Sequence, residues 1–313
     1  MARDRVVCIG NLCADAIVRP VDMAKVERGK LHLMDAMSLH TGGCAANPSV
    51  DMARMGVPVA VMGRVGEDGF GRFVHQTLAE EGVDITGLRM LKEVPTSASV
   101  VMLDASGERT FLHCLGSNAT LCEDDIDFSL MDDVKYLFIA AMLTPALDGE
   151  PAARVFQKAQ AQGMVTLMDT AWDQTGRWMS AVGPCLPYVD YFLPSIEEAE
   201  MISGLRDVPA MAAFFMEKGA GKVAIKLGAQ GCYIHDGQRE AYITGYKVDA
   251  VDTTGAGDSW VAGFITGLRQ GWDMEVSARF ANAVGAHCVM AVGASAGIKP
   301  VADIVAFMEA HRS

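Results

Sequence analysis

The sequence predicts an α/β fold: a mainly parallel sheet flanked by helices, with a small β-sheet lid beside it. Three observations carry this reading. Through most of the 313 residues, short apolar or β-branched runs alternate with stretches of helical period, as parallel strands joined by crossover helices require. The 32 glycines fall between those stretches, where tight strand–helix junctions belong, and not in a disordered tract. Two segments, approximately 13–41 and 93–115, break the alternation and read as hairpin strands forming a second sheet that could cover a site at the strand ends. Length alone admits one large α/β domain or two ordinary ones. With no linker, repeat or low-complexity tract, residues 1–313 are taken as a single domain.

In chain order, Arg5–Gly10 is a short buried strand ending in glycine, and Ala14–Arg19 a second. Leu31–Leu39 alternates weakly before Thr41-Gly42-Gly43. From Cys44 to Met55, Ala, Val and Met recur at helical spacing, and Gly56 stops the run as a C-terminal cap. Val57–Met62 is a β-branched strand, Gly63–Gly71 is Gly-rich, and Arg72–Glu81 is an amphipathic helix ended by Gly82. Thr96–Leu103 and Arg109–Cys114 flank the polar turn 104–108 as a hairpin. Alternation then resumes. Strands at Tyr136–Ala140, Val165–Asp169, Tyr191–Leu193 and Val223–Leu227 are separated by helices at Pro151–Gln162, Ile196–Ile202 and Val208–Lys218. A hairpin turns at Asp236-Gly237, and helices near Ala256–Gln270, Met274–Met290 and Val301–His311 complete the chain.

Charge excludes some functions. With 26 Lys+Arg against 39 Asp+Glu, the net charge is −13, which disfavours nucleic acid and anionic membranes because phosphate neutralisation needs clustered basic residues. Any bound phosphate must be held by local devices: a helix N-terminus, a metal ion, or one or two basic side chains. The eight cysteines include no CxxC and no zinc spacing, and they sit in apolar stretches. Free, mostly buried thiols imply a reducing compartment. No signal peptide is expected, since Arg3, Asp4 and Arg5 run straight into a strand, and no apolar run reaches the ~18 residues that span a membrane. A cytoplasmic protein is expected.

The segment richest in chemistry is Asp252-Thr253-Thr254-Gly255-Ala256-Gly257-Asp258, just before an apolar helical run. Two glycines and an alanine at a helix start leave backbone N–H groups unobstructed toward an anion, and the helix dipole adds favourable potential. Asp258 in the same turn would stand beside that anion. N–H groups that stabilise a transferring group, next to a carboxylate that accepts a hydroxyl proton, suit phosphoryl transfer. The alternative for Asp258 is a helix-start carboxylate contributing about 0.3–1 kcal/mol. Neither GxGxxG nor GxxxxGK[ST] occurs, and no histidine has triad or metal spacing.

DTTGAGD ahead of an amphipathic helix resembles the C-terminal signature of the ribokinase, or phosphofructokinase B, family of sugar kinases. Thr41-Gly42-Gly43-Cys44-Ala45-Ala46-Asn47, followed by Gly63–Gly71, is similar to its N-terminal motif. The resemblance implies a ribokinase-like fold, and ATP-dependent transfer to a hydroxyl of a sugar-like substrate. Asp258 would be the base and the Gly255, Ala256 and Gly257 amides the anion hole. It also implies substrate contacts from Gly43 and Asn47, and from Asp15 after Gly10. On the nucleotide side it implies Lys226, Gly228, Gly231 and Thr254, with Asn282 at an adenine pocket. Glu198 would hold Mg2+ through water. Asp252, with carbonyls near Cys288–Gly297, resembles a monovalent-cation loop for K+. Homodimers through the lid are the family's habit.

Departures from the pattern are specific. Cys13 and Ser195 stand where the family often has asparagine, and Lys226 where it often has threonine. Lys226 reads either as a phosphate contact or as a strand-end lysine in water. Arg109 either reaches substrate from the lid or pairs with Asp104 or Glu108. Asn118 is expected to be structural, and Glu197 and Glu200 to be solvated. A non-phosphorylated sugar or polyol is the favoured substrate. A sugar- or nucleotide-binding regulatory protein that kept the fold without catalysis is the second reading.

Overall fold

A computed structural model describes residues 3–105 and 109–311. Its elements in chain order are β1 (Arg5–Ile9), β2 (Cys13–Arg19), β3 (Ala36–Gly42), α1 (Ala46–Arg54), β4 (Val59–Gly66), α2 (Gly69–Glu80), β5 (Asp84–Leu91), β6 (Ala98–Leu103), β7 (Arg109–Cys114) and β8 (Val134–Ala141). There follow α3 (Glu150–Ala161), β9 (Val165–Thr170), α4 (Trp178–Val182), β10 (Tyr191–Phe192), α5 (Ile196–Ser203), α6 (Val208–Glu217), β11 (Val223–Lys226), β12 (Gly231–His235), β13 (Glu240–Thr244), α7 (Ala256–Arg269), α8 (Met274–Val289) and α9 (Val301–Ala310).

Among the described residues the strands form a nine-stranded sheet, order β13-β12-β11-β10-β9-β8-β1-β4-β5, and a four-stranded sheet, order β3-β2-β6-β7. From β11 to β5 the large sheet is parallel; β12 and β13 add an antiparallel edge. Both faces of such a sheet are covered, so its strands are apolar throughout. In β1, Val6 and Cys8 enter one core with Phe264 and Phe280 of α7 and α8, while Val7 and Ile9 enter the other with Phe156, Phe192 and Phe215. Each such phenylalanine contributes about 1.5–3 kcal/mol through burial.

Most expected elements are present, the projecting second sheet among them. Four differences stand out. The strand expected at Val57–Met62 runs on into the Gly-rich stretch: Gly63 and Gly66 pair with Leu88 and Leu91 as the end of β4. At Gly63 a Cβ would lie 2.7 Å from Leu12 Cδ1, so a larger residue there requires that buried side chain to shift. Edge strand β5 shows no strand pattern, since Thr86-Gly87 interrupts its apolar residues. The single-turn helix α4 was likewise not anticipated. The third strand runs over Ala36–Gly42 and not Leu31–Leu39; Leu31 and Leu33 lie outside it, almost fully exposed. Residues Ser106, Gly107 and Glu108 of the expected hairpin turn lie outside the described residues. All eight cysteines are free, five of them buried. Among the described residues no helix is long and apolar enough to cross a membrane.

The contact that positions the site is that of α1 against α7. Asp51, fully buried on α1, accepts a hydrogen bond from Ser259 Oγ of α7 at 2.5 Å. Burial pushes its carboxyl up to about 7, although Ser259 and Arg54 favour the charged form. The folded state therefore holds this proton more tightly than the unfolded chain, where the value is ~4. Stability falls as pH rises from there to about 7 and is level above. Asp51→Asn removes that dependence. Urea unfolding at about pH 5 and about pH 8 should show the variant gaining on wild type by up to about 1.4 kcal/mol per pH unit within that window.

Candidate active site

Strand order places the site. The chain leaves β1 for β4 and β5 on one side, then returns beside β1 through β8 and proceeds away on the other. Open parallel sheets bind ligands beyond the C-terminal strand ends at such a reversal. The groups gathered there are Asp169 at the end of β9, Lys226 at the end of β11, the loop from β1 into β2, and the N-terminus of α7.

The 252–258 turn is shaped by its first residue. Asp252 Oδ1 accepts from Thr254 N (2.9 Å) and Thr254 Oγ1 (2.6 Å), and Oδ2 from Gly293 N (2.9 Å). These bonds and the Arg109 guanidinium hold its carboxyl below the usual range despite partial burial. Gly255 caps α7 with φ 75°, and a Cβ there would lie 2.6 Å from Ala294 Cβ. The peptides that follow open the 14-residue helix, whose first N–H groups have no intrahelical partner. Asp258 lies in the first turn and accepts from Asn47 Nδ2 of α1 at 2.8 Å. Desolvation raises its pKa; Asn47 and Lys226 oppose the rise and Glu198 adds to it.

Near Asp258 stands the small sheet. Asp15 on β2 is partly exposed and receives the Cys13 thiol at 3.4 Å. The thiol thus occupies the place expected of an asparagine and still supports Asp15. Gly42 leaves room for that carboxylate, since a Cβ there would meet Asp15 Oδ2 at 2.0 Å. Gly43, at φ 107°, passes so close to Asn11 O that a Cβ would lie 2.3 Å from it. Strand register sets His40, Asp15, Ser99 and His113 in one row across β3, β2, β6 and β7. Ser99 Oγ and His113 Nδ1 are 3.0 Å apart, and desolvation lowers the His113 pKa against the pull of Asp15. Sequence reasoning passed over both histidines and Ser99. Alternation within β7, counted from Arg109, was the signal that could have found His113.

On the other side of the α7 N-terminus is a cleft of about 410 Å3, lined in part by Lys226, Gly228, Gly231, Ala256, Gly257 and Asn282. Trp260, stacked on Phe264, forms one wall. Lys226 is not a lysine in water: it is buried, and its Nζ donates to Asp169 Oδ2 at 2.5 Å. Burial lifts the Asp169 carboxyl to about 7 against the pull of that ammonium, with Glu198 adding to the rise. Asp169 had not been anticipated. Asn282 lines the cleft, but its amide is engaged elsewhere: Oδ1 accepts from Trp260 Nε1, and Nδ2 donates to the carbonyls of Ile243 and Thr244. Its part is to join the walls.

Ser195 and Glu198 form a capping box on α5. Ser195 Oγ accepts from Glu198 N (3.3 Å), and Glu198 Oε2 accepts from Ser195 N (2.9 Å) and Thr170 Oγ1 (2.8 Å). Ser195, standing where asparagine is frequent, is therefore a helix cap. Arg109 crosses from β7 to the 252–254 turn, where Nη2 donates to Thr253 Oγ1 at 2.7 Å and Nη1 to Thr254 Oγ1, a destination neither sequence alternative named. Asn118 Oδ1 accepts from Leu12 N at 3.1 Å, steadying the passage from β1 to β2. No cluster of three metal-ligating side chains occurs among the described residues. Mg2+ is commonly held by one or two carboxylates plus phosphates; Asp169 at the end of β9 and Glu198 in the first turn of α5 are carboxylates near Lys226.

Comparison with known proteins agrees with this layout. The family model for pfkB family carbohydrate kinases matches residues 3–301. The 2-dehydro-3-deoxygluconokinase of Bacillus subtilis is 28% identical over 299 residues, covering 92% of each chain. A ribokinase of Arabidopsis thaliana solved with ribose and ATP superposes with a TM-score of 0.86 at 23% identity, covering 99% of both chains. A structure from E. coli solved with ATP and Mg2+ also gives 0.86, at 24% identity, over 98% of this chain and 100% of that one.

Gly255→Ala forces a Cβ into a left-handed residue against Ala294, and urea unfolding should show a loss of about 1–3 kcal/mol. Gly257→Ala, whose Cβ would meet only Lys226 Nζ at 3.7 Å, should lose less.

Proposed function

The chain belongs to the PfkB family of ATP-dependent carbohydrate kinases, and from that premise we propose that it transfers the γ-phosphoryl group of ATP to a hydroxyl of an uncharged sugar or polyol, with Asp258 as base. The observation that carries this reading is the position of Asp258. It sits in the first turn of α7, held by Asn47, with the cleft on one side and the Asp15 row on the other.

Asp15, Gly43 and Asn47 would hold the acceptor, and ATP would lie along the cleft with its phosphates toward Gly255–Gly257 and Lys226. Bound Mg2+ would neutralise charge on those phosphates, with Glu198 reaching it through water. An ordinary carboxylate, pKa ~4, is a weak base toward an alcohol. It suffices when the proton leaves late, as the forming O–P bond acidifies it. The backbone N–H groups at the start of α7 stabilise charge on the transferring group without reorganising. Closure of the small sheet would exclude water and limit idle ATP hydrolysis.

The charges around the acceptor side favour a neutral substrate. Arg109 and Lys226 are both engaged by protein partners, His113 is biased toward its neutral form, and Asp15 and Asp258 would repel an anion. A catalytically silent binder would leave Asp258 and Asn47 without a task. The two departures that suggested one, Cys13 and Ser195, both have partners in the fold.

The small sheet also supports a homodimer. Leu39, Val100 and Leu112 share one cross-strand row with Ala16, on the face opposite Asp15, and are 39%, 38% and 61% exposed. Met37, two residues along β3, is 67% exposed. An uncharged apolar patch of this kind suits an isologous contact with a second copy. Sedimentation should find a dimer that Leu112→Glu converts to monomer; a monomeric wild type would contradict this.

The activity test is ADP release with MgATP across neutral sugars, sugar acids, sugar phosphates and nucleosides. Turnover should favour neutral sugars or polyols. Asp258→Asn should still bind ATP but lose kcat by about 10²–10⁴-fold; wild-type turnover in that variant would overturn the assignment. The acid limb of kcat should lie above ~4, and Asn47→Ala should move it further up by removing a bond that favours the carboxylate.

A further inference from the structure

The family resemblance implies a monovalent cation between Asp252 and carbonyls near Cys288–Gly297, and the residues of this chain do not fit one. The carboxylate is already used: Oδ1 accepts from Thr254 N and Thr254 Oγ1, and Oδ2 from Gly293 N. Two of the carbonyls around the turn are engaged as well. Cys288 Sγ lies 3.3 Å from Thr254 O and 3.2 Å from Ala294 O, so one thiol proton is shared between the two, and Ser259 Oγ approaches Ala294 O at 3.3 Å. A permanent positive charge is already present. Arg109 Nη1 lies 3.5 Å from Asp252 Oδ1 and donates to Thr254 Oγ1, while Nη2 donates to Thr253 Oγ1.

We propose that Arg109 takes the part of the cation: its guanidinium, with the Cys288 thiol, holds the 252–254 turn in the shape that aims the Gly255–Gly257 amides, and nucleotide binding is independent of K+. Arg109 is a positioning residue, acting through Thr253 and Thr254 and not on the phosphates. Because it arrives from β7, it also ties the small sheet to the start of α7. A soluble ion would set the turn regardless of the sheet, whereas a side chain sets it only while the sheet is docked. The inference rests on the proposed role of the 255–257 amides, but not on the identity of the acceptor or on Asp258.

The test is therefore binding of MgADP, followed by calorimetry in KCl and in tetramethylammonium chloride at matched ionic strength of about 0.1 M. Wild-type affinity should agree within about twofold between the salts. Arg109→Ala should bind about tenfold more weakly in both salts, while Arg109→Lys should stay close to wild type in both. Recovery of affinity by the lysine variant separates a charge-positioning role from simple damage to the sheet. Wild-type affinity that rises about tenfold with K+ overturns the inference and leaves the kinase reading standing. An Arg109→Ala protein that binds as tightly as wild type, or an Arg109→Lys protein as weak as Arg109→Ala, overturns it too. If that variant does not fold, the wild-type comparison decides. Absence of MgADP binding in either salt would overturn this inference and the nucleotide-cleft reading together.

Discussion

The crossing of α1 and α7 is the constraint on which the rest depends. Two side-chain links join them one turn apart: Asn47 to Asp258 at the open end, and Asp51 to Ser259 beneath it. The upper link alone, ending on a half-buried carboxylate, could not set the direction of that group. The lower one is buried, so its geometry is enforced by the packing of Ala262, Phe264 and Ile265 into the core. The site is therefore stiff where the two helices meet.

Electrostatics follow from that frame. In a chain of net charge −13 the positive groups around the candidate site are few and well secured. Lys226 is held by Asp169 at a strand end, Arg109 is held by a threonine pair and Asp252, and the helix start supplies partial charges that need no side chain. None of these makes a diffuse basic surface. The fixed positive charges near the turn are compensated by nearby carboxylates, so the place meant for phosphate is defined more by direction than by overall attraction.

The sequence disclosed the alternation of strands and helices, the second sheet, and the turn that opens α7, because each depends on local pattern: apolar runs, a break in alternation, glycines before a helical period. It did not disclose β5, whose apolar residues are interrupted by Thr86-Gly87 and whose strand character comes from pairing with β4. Nor did it disclose what Asp169, His40 or His113 face, because those positions acquire meaning only through register between strands distant in sequence. Lys226 was located but its surroundings were not, since an ion pair spanning 57 residues leaves no mark on either segment. Ser195 and Glu198 could be read as a capping box from their spacing alone.

The pleat of the small sheet has one more consequence. Successive residues of β2, β3, β6 and β7 point alternately to the face that carries Asp15 and to the face that carries Leu39 and Leu112. A lineage carrying this chain can exchange residues on one face while the intervening ones stay in place. If the one face meets a small molecule and the other a second copy, as proposed, the two preferences are written in interleaved letters of the same short strands and can be inherited, lost or exchanged separately.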